Sequence, residues 1–243
     1  MGRAFELRKG RKLKRWSKMA KTFSRIGKDI VMAIKEGGPE VESNSRLRAV
    51  IQNAKAANMP KEIVDRAIKK AKDKDTSDYK EVNFEGYGPH GIAVMIETAT
   101  DNNNRTVASV RSIFSKNGGN LGTSGSVDFM FERKCHFKIP KNELDPEELE
   151  LELIDAGIDE LFEETPEEDS DDITSIMIYG PFESFGSIQK ALEERAFEIL
   201  ESGYERIPTT TTKLNEEQEA DVDKILEKLE EDDDVMNVYH TMG

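Results

Sequence analysis

Residues 81–132 read EVNFEGYGPHGIAVMIETATDNNNRTVASVRSIFSKNGGNLGTSGSVDFMFE, and the changing spacing of their apolar residues decides the fold. Val82 to Glu85 is a short strand that meets a Gly/Pro turn. Ile92, Val94 and Ile96 then alternate with Ala93, Met95 and Glu97, the period of two that sets one face of a strand against a core. After a cap at Asp101–Asn104 comes a helix with Val107, Val110 and Phe114 on one face, ended by Asn117-Gly118-Gly119. A third strand is predicted where Val127, Phe129 and Phe131 alternate with Asp128 and Met130. The periods two, 3.6 and two describe a β-β-α-β core.

Two glycine-rich runs in this stretch resemble phosphate loops and fail as such. Gly86-Tyr87-Gly88-Pro89-His90-Gly91 has the letters of the dinucleotide fingerprint. That fingerprint needs a helix next, so that backbone N–H groups at its N-terminus hold a pyrophosphate. Here a strand pattern comes next instead, and Pro89 lacks an N–H. Gly118-Gly119-Asn120-Leu121-Gly122-Thr123-Ser124-Gly125 lacks the Gly-Lys-Ser/Thr end of a P-loop and comes after a helix, the reverse order. The first is read as a turn, the second as a loop.

The core is completed from the far end of the chain. A helix capped at Asn215 carries Val222, Ile225, Leu226 and Leu229, and a strand succeeds it at Val235–Tyr239. One helix and one strand cannot fold alone, so they are expected to close the sheet left open at residue 132. Residues 133–208 then form an insertion. In it Cys135, Phe137 and Ile139 alternate as a strand after an interruption at Lys134. Asp145 caps a helix whose first residue is Pro146. Strands at Leu161–Glu163 and Ile176–Tyr179 flank an acidic turn, Thr165 to Asp172. A helix with Phe185, Ile188 and Leu192 leads to a last strand near Ile199–Ile207. This β-α-β-β-α-β order is the ferredoxin-like plan.

Before the core, helical spacing marks Ser17–Glu36 (Phe23, Ile26, Ile30 and Ile34), a second helix from Asn44 (Leu47, Val50, Ile51 and Ala54) and a third from Pro60 (Ile63, Val64, Ala67, Ile68 and Ala71). The predicted fold class is α+β, an N-terminal three-helix bundle followed by two α/β ferredoxin-like domains, one inserted in the other. The boundaries are 1–80 for the basic helical domain with a mobile N-terminal arm, 81–132 with 209–243 for the discontinuous domain, and 133–208 for the acidic insertion.

Charge is segregated along the chain. The 243 residues carry a net −14, yet residues 1–80 hold 22 Lys/Arg against 10 Asp/Glu, and the rest 13 against 39. A uniformly acidic protein repels a polyanion, whereas a cationic end can meet one. Residues 1–16 supply Arg8, Lys9, Arg11, Lys12, Lys14, Arg15 and Trp16, read as an arm that orders on a phosphate backbone, with Trp16 or Phe5 placed to stack on a base. A solubilising tail is the competing reading. The helices add Lys18, Lys21, Arg25, Lys28, Arg46, Arg48, Lys55, Lys61, Arg66, Lys69 and Lys70. Acids are too few there to pair them all, which favours a phosphate-contacting surface over a merely solvated one.

Other chemistry finds little support. His90, His136 and His240 lie in three separate segments, and zinc would need several Cys or closely spaced His where Cys135 stands alone. No nucleophile is paired with a base, and the acidic runs lack calcium-loop spacing. No cofactor, no metal and no enzymatic activity are expected. No apolar run approaches the roughly 20 residues of a membrane helix. Glu6 breaks the myristoylation pattern, the Arg-rich start has no apolar segment, and one cysteine suits a reducing compartment. A cytoplasmic protein is expected.

Several runs carry a family resemblance. Glu85-Gly86-Tyr87-Gly88-Pro89, Thr100-Asp101-Asn102-Asn103-Asn104-Arg105-Thr106, Gly118-Gly119-Asn120-Leu121-Gly122 and Gly125-Ser126-Val127 resemble the YebC family. Arg46-Leu47-Arg48, Ala54-Lys55-Ala56-Ala57-Asn58-Met59-Pro60-Lys61 and Arg66-Ala67-Ile68-Lys69-Lys70 resemble its helical domain. The likeness runs from about residue 18 to the end; the opening 16 residues differ from the Gly-His-Ser-Lys-Trp-like start usual there. The resemblance implies three domains and a DNA-binding transcriptional regulator, or a translation factor acting at the ribosome on ribosomal RNA or tRNA. A non-enzymatic nucleic-acid-binding regulator is therefore expected, and a small-molecule-sensing or protein-scaffold module is the alternative.

Overall fold

A computed structural model describes residues 3–72, 79–166 and 173–243, with side chains from Met19 onward. The helical part comprises α1 (Arg3–Gly37), α2 (Ser45–Ala56) and α3 (Lys61–Lys72). Strands β1 (Lys80–Tyr87) and β2 (Ala93–Thr100), helix α4 (Asn103–Lys116) and the two-residue strand β3 (Asn120–Leu121) come after them. Next are β4 (Phe131–Pro140), α5 (Pro146–Leu153), β5 (Glu160–Glu164), β6 (Ser175–Pro181), α6 (Phe185–Glu194) and β7 (Glu201–Pro208). Helix α7 (Glu216–Glu231) and strand β8 (Val235–His240) end the chain. The fold is mixed α/β with two four-stranded sheets, ordered β3-β1-β2-β8 and β5-β6-β4-β7. Two compact units result, Met1–Thr76 with His136–Gly203, and Ser77–Cys135 with Tyr204–Gly243.

In the first unit α1 starts at Arg3, not at Ser17, so residues expected to form an arm are helical backbone. Arg, Lys, Leu, Ala and Glu, which make up most of residues 3–17, are good helix formers, and Gly10 costs only about 1 kcal/mol against Ala. Ile26, Ile30, Val31, Ala33 and Ile34 of α1 are buried, as are Leu47, Val50 and Ala54 of α2 and Val64 of α3. Asn44 joins the first two helices. Its Oδ1 accepts the Leu47 N–H at 2.9 Å, capping α2, while its Nδ2 donates to Ala33 O at 2.7 Å and Gly38 O at 2.8 Å. A β-carbon at Gly37 would lie 2.7 Å from that amide, so the close approach requires glycine.

The same unit holds the sheet β5-β6-β4-β7. Phe137 and Ile139 of β4, Ile176 and Ile178 of β6, and Phe185, Ile188 and Leu192 of α6 are buried, with the Phe137 and Phe185 rings 4.9 Å apart. Asp145 accepts the Glu147 N–H and Pro146 opens α5, as the sequence signal demands. The acidic turn lies mostly at residues 167–172, outside the described residues. At the β7 edge, Asn53 of α2 donates Nδ2 to Ser202 O at 2.6 Å and accepts the Ser202 N–H at 2.9 Å. One side-chain amide thus makes the two bonds a neighbouring strand would make, which blunts an edge.

In the second unit β1 and β2 form an antiparallel hairpin from Lys80↔Thr100 to Tyr87↔Ala93. Its connection is the Gly-Pro turn, in which Gly88 N–H donates to Ile92 O at 2.8 Å and His90 adopts φ 59°. Strand β8 adds antiparallel to β2 from Val94↔His240 to Thr98↔Val235. Ile92, Val94, Ile96, Val110, Phe114, Val222, Ile225, Leu229 and Val235 form one buried cluster. Each such large apolar side chain contributes about 1.5–3 kcal/mol. A reciprocal capping box between Asn215 and Gln218 starts α7.

Two strand expectations are corrected. Residues Asp128–Met130 form a 3-10 turn, not a strand, and Phe129 is 74% exposed. The buried Glu85 carboxylate accepts the N–H groups of Gly125 (2.7 Å), Val127 (2.8 Å) and Asp128 (2.9 Å), so these donors are not available to a ladder. Strand β4 also runs through Lys134 without a break. Phe131, Cys135, Phe137 and Ile139 are buried in one phase of the alternation, and Lys134 occupies the other.

Candidate nucleic-acid interface

The cations expected to face phosphate fall into three groups. Arg8, Lys9, Arg11, Lys12, Lys14, Arg15, Trp16 and Lys18 all lie on α1, and their side chains are outside the described residues. Lys55 at the end of α2, and Lys61, Arg66, Lys69 and Lys70 on α3, are exposed; Lys21 and Arg25 on α1 are half-buried. The third group is engaged within the protein. Lys28 is buried at 8% exposure, which does not fit a phosphate-facing role. Arg46 donates to Glu36 at 2.6 Å. Arg48 donates to Glu193 at 3.2 Å and to the carbonyls of Val41 and Glu42, both at 2.9 Å.

Helix α3 carries its charge in an order that physical chemistry favours twice. Glu62 stands in its first turn and Lys69, Lys70 and Lys72 in its last, matching the helix macrodipole. The same order concentrates exposed cations at the C-terminal end, next to Arg66. Lys72 and Lys35 are exposed too and were not among the expected residues. Lys72 was legible in the i,i+3 spacing from Lys69; Lys35 emerged only from seeing which side of α1 is buried.

The second unit gathers polar groups that are far apart in sequence. Asp234 Oδ2 accepts from Arg105 Nη2 at 2.7 Å, Thr106 Oγ1 at 2.8 Å and Thr100 Oγ1 at 3.2 Å, and Arg105 also reaches Asp101 at 2.9 Å. This joins the start of α4 to the start of β8. Arg206, at 10% side-chain exposure, donates to Glu97 at 2.9 Å and Asp128 at 2.7 Å. Two histidines that looked isolated in sequence have carboxylates nearby, His90 Nε2 at 3.3 Å from Asp221 and His136 Nε2 at 3.8 Å from Glu201. Lys224 and then His90 hold the Asp221 carboxyl below its ordinary pKa.

Family models for the TACO1/YebC N-terminal domain and for the TACO1/YebC second and third domain match residues 3–74 and 79–242. The chain belongs to the TACO1/YebC family. Relatives named probable transcriptional regulatory proteins occur in Flavobacterium psychrophilum, 69% identical over 100% of this chain and 99% of that protein, and in Parabacteroides distasonis, 58% identical over 100% and 97%. The crystal structure of a conserved hypothetical protein from Aquifex aeolicus is similar at a TM-score of 0.78 and 38% identity, covering 92% of this chain and 90% of that one. The TACO1/YebC N-terminal match takes in α1, α2 and α3, the elements that carry the basic residues. Among the described residues no helix is long and apolar enough to cross a membrane.

Proposed function

We propose that this TACO1/YebC-family chain is a non-enzymatic regulator of gene expression that binds nucleic acid through its basic N-terminal helices. The observation that carries the reading is the exposed set Lys55, Lys61, Arg66, Lys69 and Lys70, on a segment whose net charge opposes that of the remaining chain. Its phosphate contacts would displace condensed counterions, giving affinity that is steep in salt and weak in sequence preference. The names of the relatives, probable transcriptional regulatory proteins, support a regulatory role. In this reading residues 1–80 are a three-helix bundle, and 81–132 with 209–243 and the inserted 133–208 are ferredoxin-like domains. The acidic domains orient the basic one, because their charge keeps phosphate backbones away.

The test is a salt titration of binding to duplex DNA, ribosomal RNA and tRNA, together with co-sedimentation on ribosomes. Replacing Arg11, Lys12, Lys14 and Arg15 by Ala is expected to weaken binding across all sequences. The log–log salt slope should fall by about 0.7–0.9 for each phosphate no longer neutralised. Co-sedimentation with a steep RNA salt slope assigns the ribosome; one protected site on promoter DNA assigns transcription. Activity that survives deletion of residues 1–80 points instead to a ligand-sensing or scaffold module.

A further inference from the structure

The sheet of the first unit has two unlike faces. One buries Phe137, Ile139, Ile176 and Ile178 with Phe185 of α6. Strand alternation places Phe162 of β5, Met177 and Tyr179 of β6, and His136 and Lys138 of β4 on the other; the pairing Phe162↔Met177 agrees. On this second face the Phe162 and Tyr179 rings are 6.0 Å apart and nearly parallel at 13°, and the Tyr179 and His136 rings are 6.1 Å apart at 45°. Three rings therefore form a row across three adjacent strands; Phe162 at its outer end is 41% exposed, Tyr179 is half-buried, and the His136 side chain, at 14% exposure, backs the inner end.

Carboxylates border the row. Glu160 and Glu164 share the face of Phe162, and Glu201 stands 3.8 Å from His136. The segment from His136 to Gly203 holds 21 Asp/Glu against four Lys/Arg, a balance of −17. Of those four, Lys138 is paired with Glu164 and Lys141 with Glu163. A row of rings on a sheet is suited to stacking nucleobases, but here each base would bring a phosphate toward a strongly anionic surface. A guanidinium or ammonium group meets both features favourably: the ring face attracts it, and the carboxylates neutralise it.

We propose that the Phe162–Tyr179–His136 row is a docking face for an arginine- or lysine-rich segment of a partner protein. It is distinct from the basic helices that the proposed function assigns to nucleic acid. Cross-strand aromatic contact alone would also steady the sheet, yet that role needs no exposed ring surrounded by acids.

The experiment uses the full chain and a fluorescein-labelled nona-arginine peptide, read by fluorescence anisotropy. Phe162→Ala and Phe162→Leu are each expected to weaken binding about three- to tenfold, because both remove the π face, while Phe162→Tyr retains it. Leu151→Ala removes another exposed apolar side chain of this unit and should leave affinity unchanged. Circular dichroism of each variant confirms that the sheet is intact. Equal affinity of the parent and Phe162→Leu overturns the proposal, as does an equal loss in Leu151→Ala. Single-stranded oligouridine binding that depends on Phe162 would reassign the face to RNA.

Discussion

Glu85 and Val127 are joined by a hydrogen bond of 2.8 Å in which the buried carboxylate accepts a backbone N–H, and this bond decides the course of the chain after the glycine loop. Gly125 and Asp128 donate to the same carboxylate, so the loop is pinned at three points and Phe129 is left in solvent. Burial by itself would raise the Glu85 pKa. The three backbone donors and the charge of Arg206 outweigh it, and the net shift is below the ordinary value of 4.5. A folded pKa lower than the unfolded one means that ionised Glu85 contributes stability above the unfolded value. That contribution is lost as pH falls through the folded pKa. Resistance to urea should therefore fall on acidification below about pH 4.5. Glu85→Gln turns an NH2 group toward an N–H donor; it should cost about 1–3 kcal/mol at neutral pH and flatten the acid dependence.

Arg206 should be hard to replace. Its guanidinium bridges Glu97 and Asp128, and Glu97 also accepts from Asn237 at 3.2 Å and Tyr239 Oη at 3.3 Å. Burial and then the Glu97 charge push the Tyr239 phenol well above its usual range, which keeps it a donor throughout the physiological span. Arg206→Met leaves a half-buried carboxylate without its cation and should lower stability by about 2–3 kcal/mol. Adding Glu97→Gln should recover part of that loss in a thermal-melt double-mutant cycle; a strictly additive result would show that the pair is not coupled.

Asn44→Ala removes the cap of α2 and both bonds to the end of α1. Losing an N-cap costs about 1 kcal/mol, and the loss of the two bonds to Ala33 O and Gly38 O adds to that. A drop of about 2 kcal/mol in urea unfolding is expected. Asn44→Asp keeps the cap but sets a carboxylate against Ala33 O and Gly38 O, so it should be less stable than parent as well.

Two basic residues of α2 and α3 should separate binding from folding. Lys69 is exposed, so Lys69→Ala is expected to reduce the salt slope of nucleic-acid binding by about 0.7–0.9 and leave the melting temperature within a degree or two. Arg48 is held by Glu193 and two carbonyls, so Arg48→Ala should lower the melting temperature and leave the slope unchanged. The reverse pattern would place the interface on α2 around Arg48 instead.

Much of this protein was legible in its residues alone. Periods of 3.6 and two located α2, α3, β1, β2, α4, α6 and α7, because the faces they bury repeat at those spacings. Caps at Asn102, within the expected Asp101–Asn104 run, at Asp145 and at Asn215 could be read because a side chain bonds a backbone N–H two or three positions away. The segregated charge was equally plain. What the sequence left open depended on partners remote along the chain. The alternation at Val127–Phe131 is as good as that in β2, yet Glu85, some 40 residues earlier, takes the N–H groups that a strand would need. Arg46, Arg48 and Lys28 look like their neighbours, and only the packing of helices engages them within the protein while leaving Lys69 in water. Local spacing encodes which face an element buries; which polar group meets which is set by where the folded chain returns to itself.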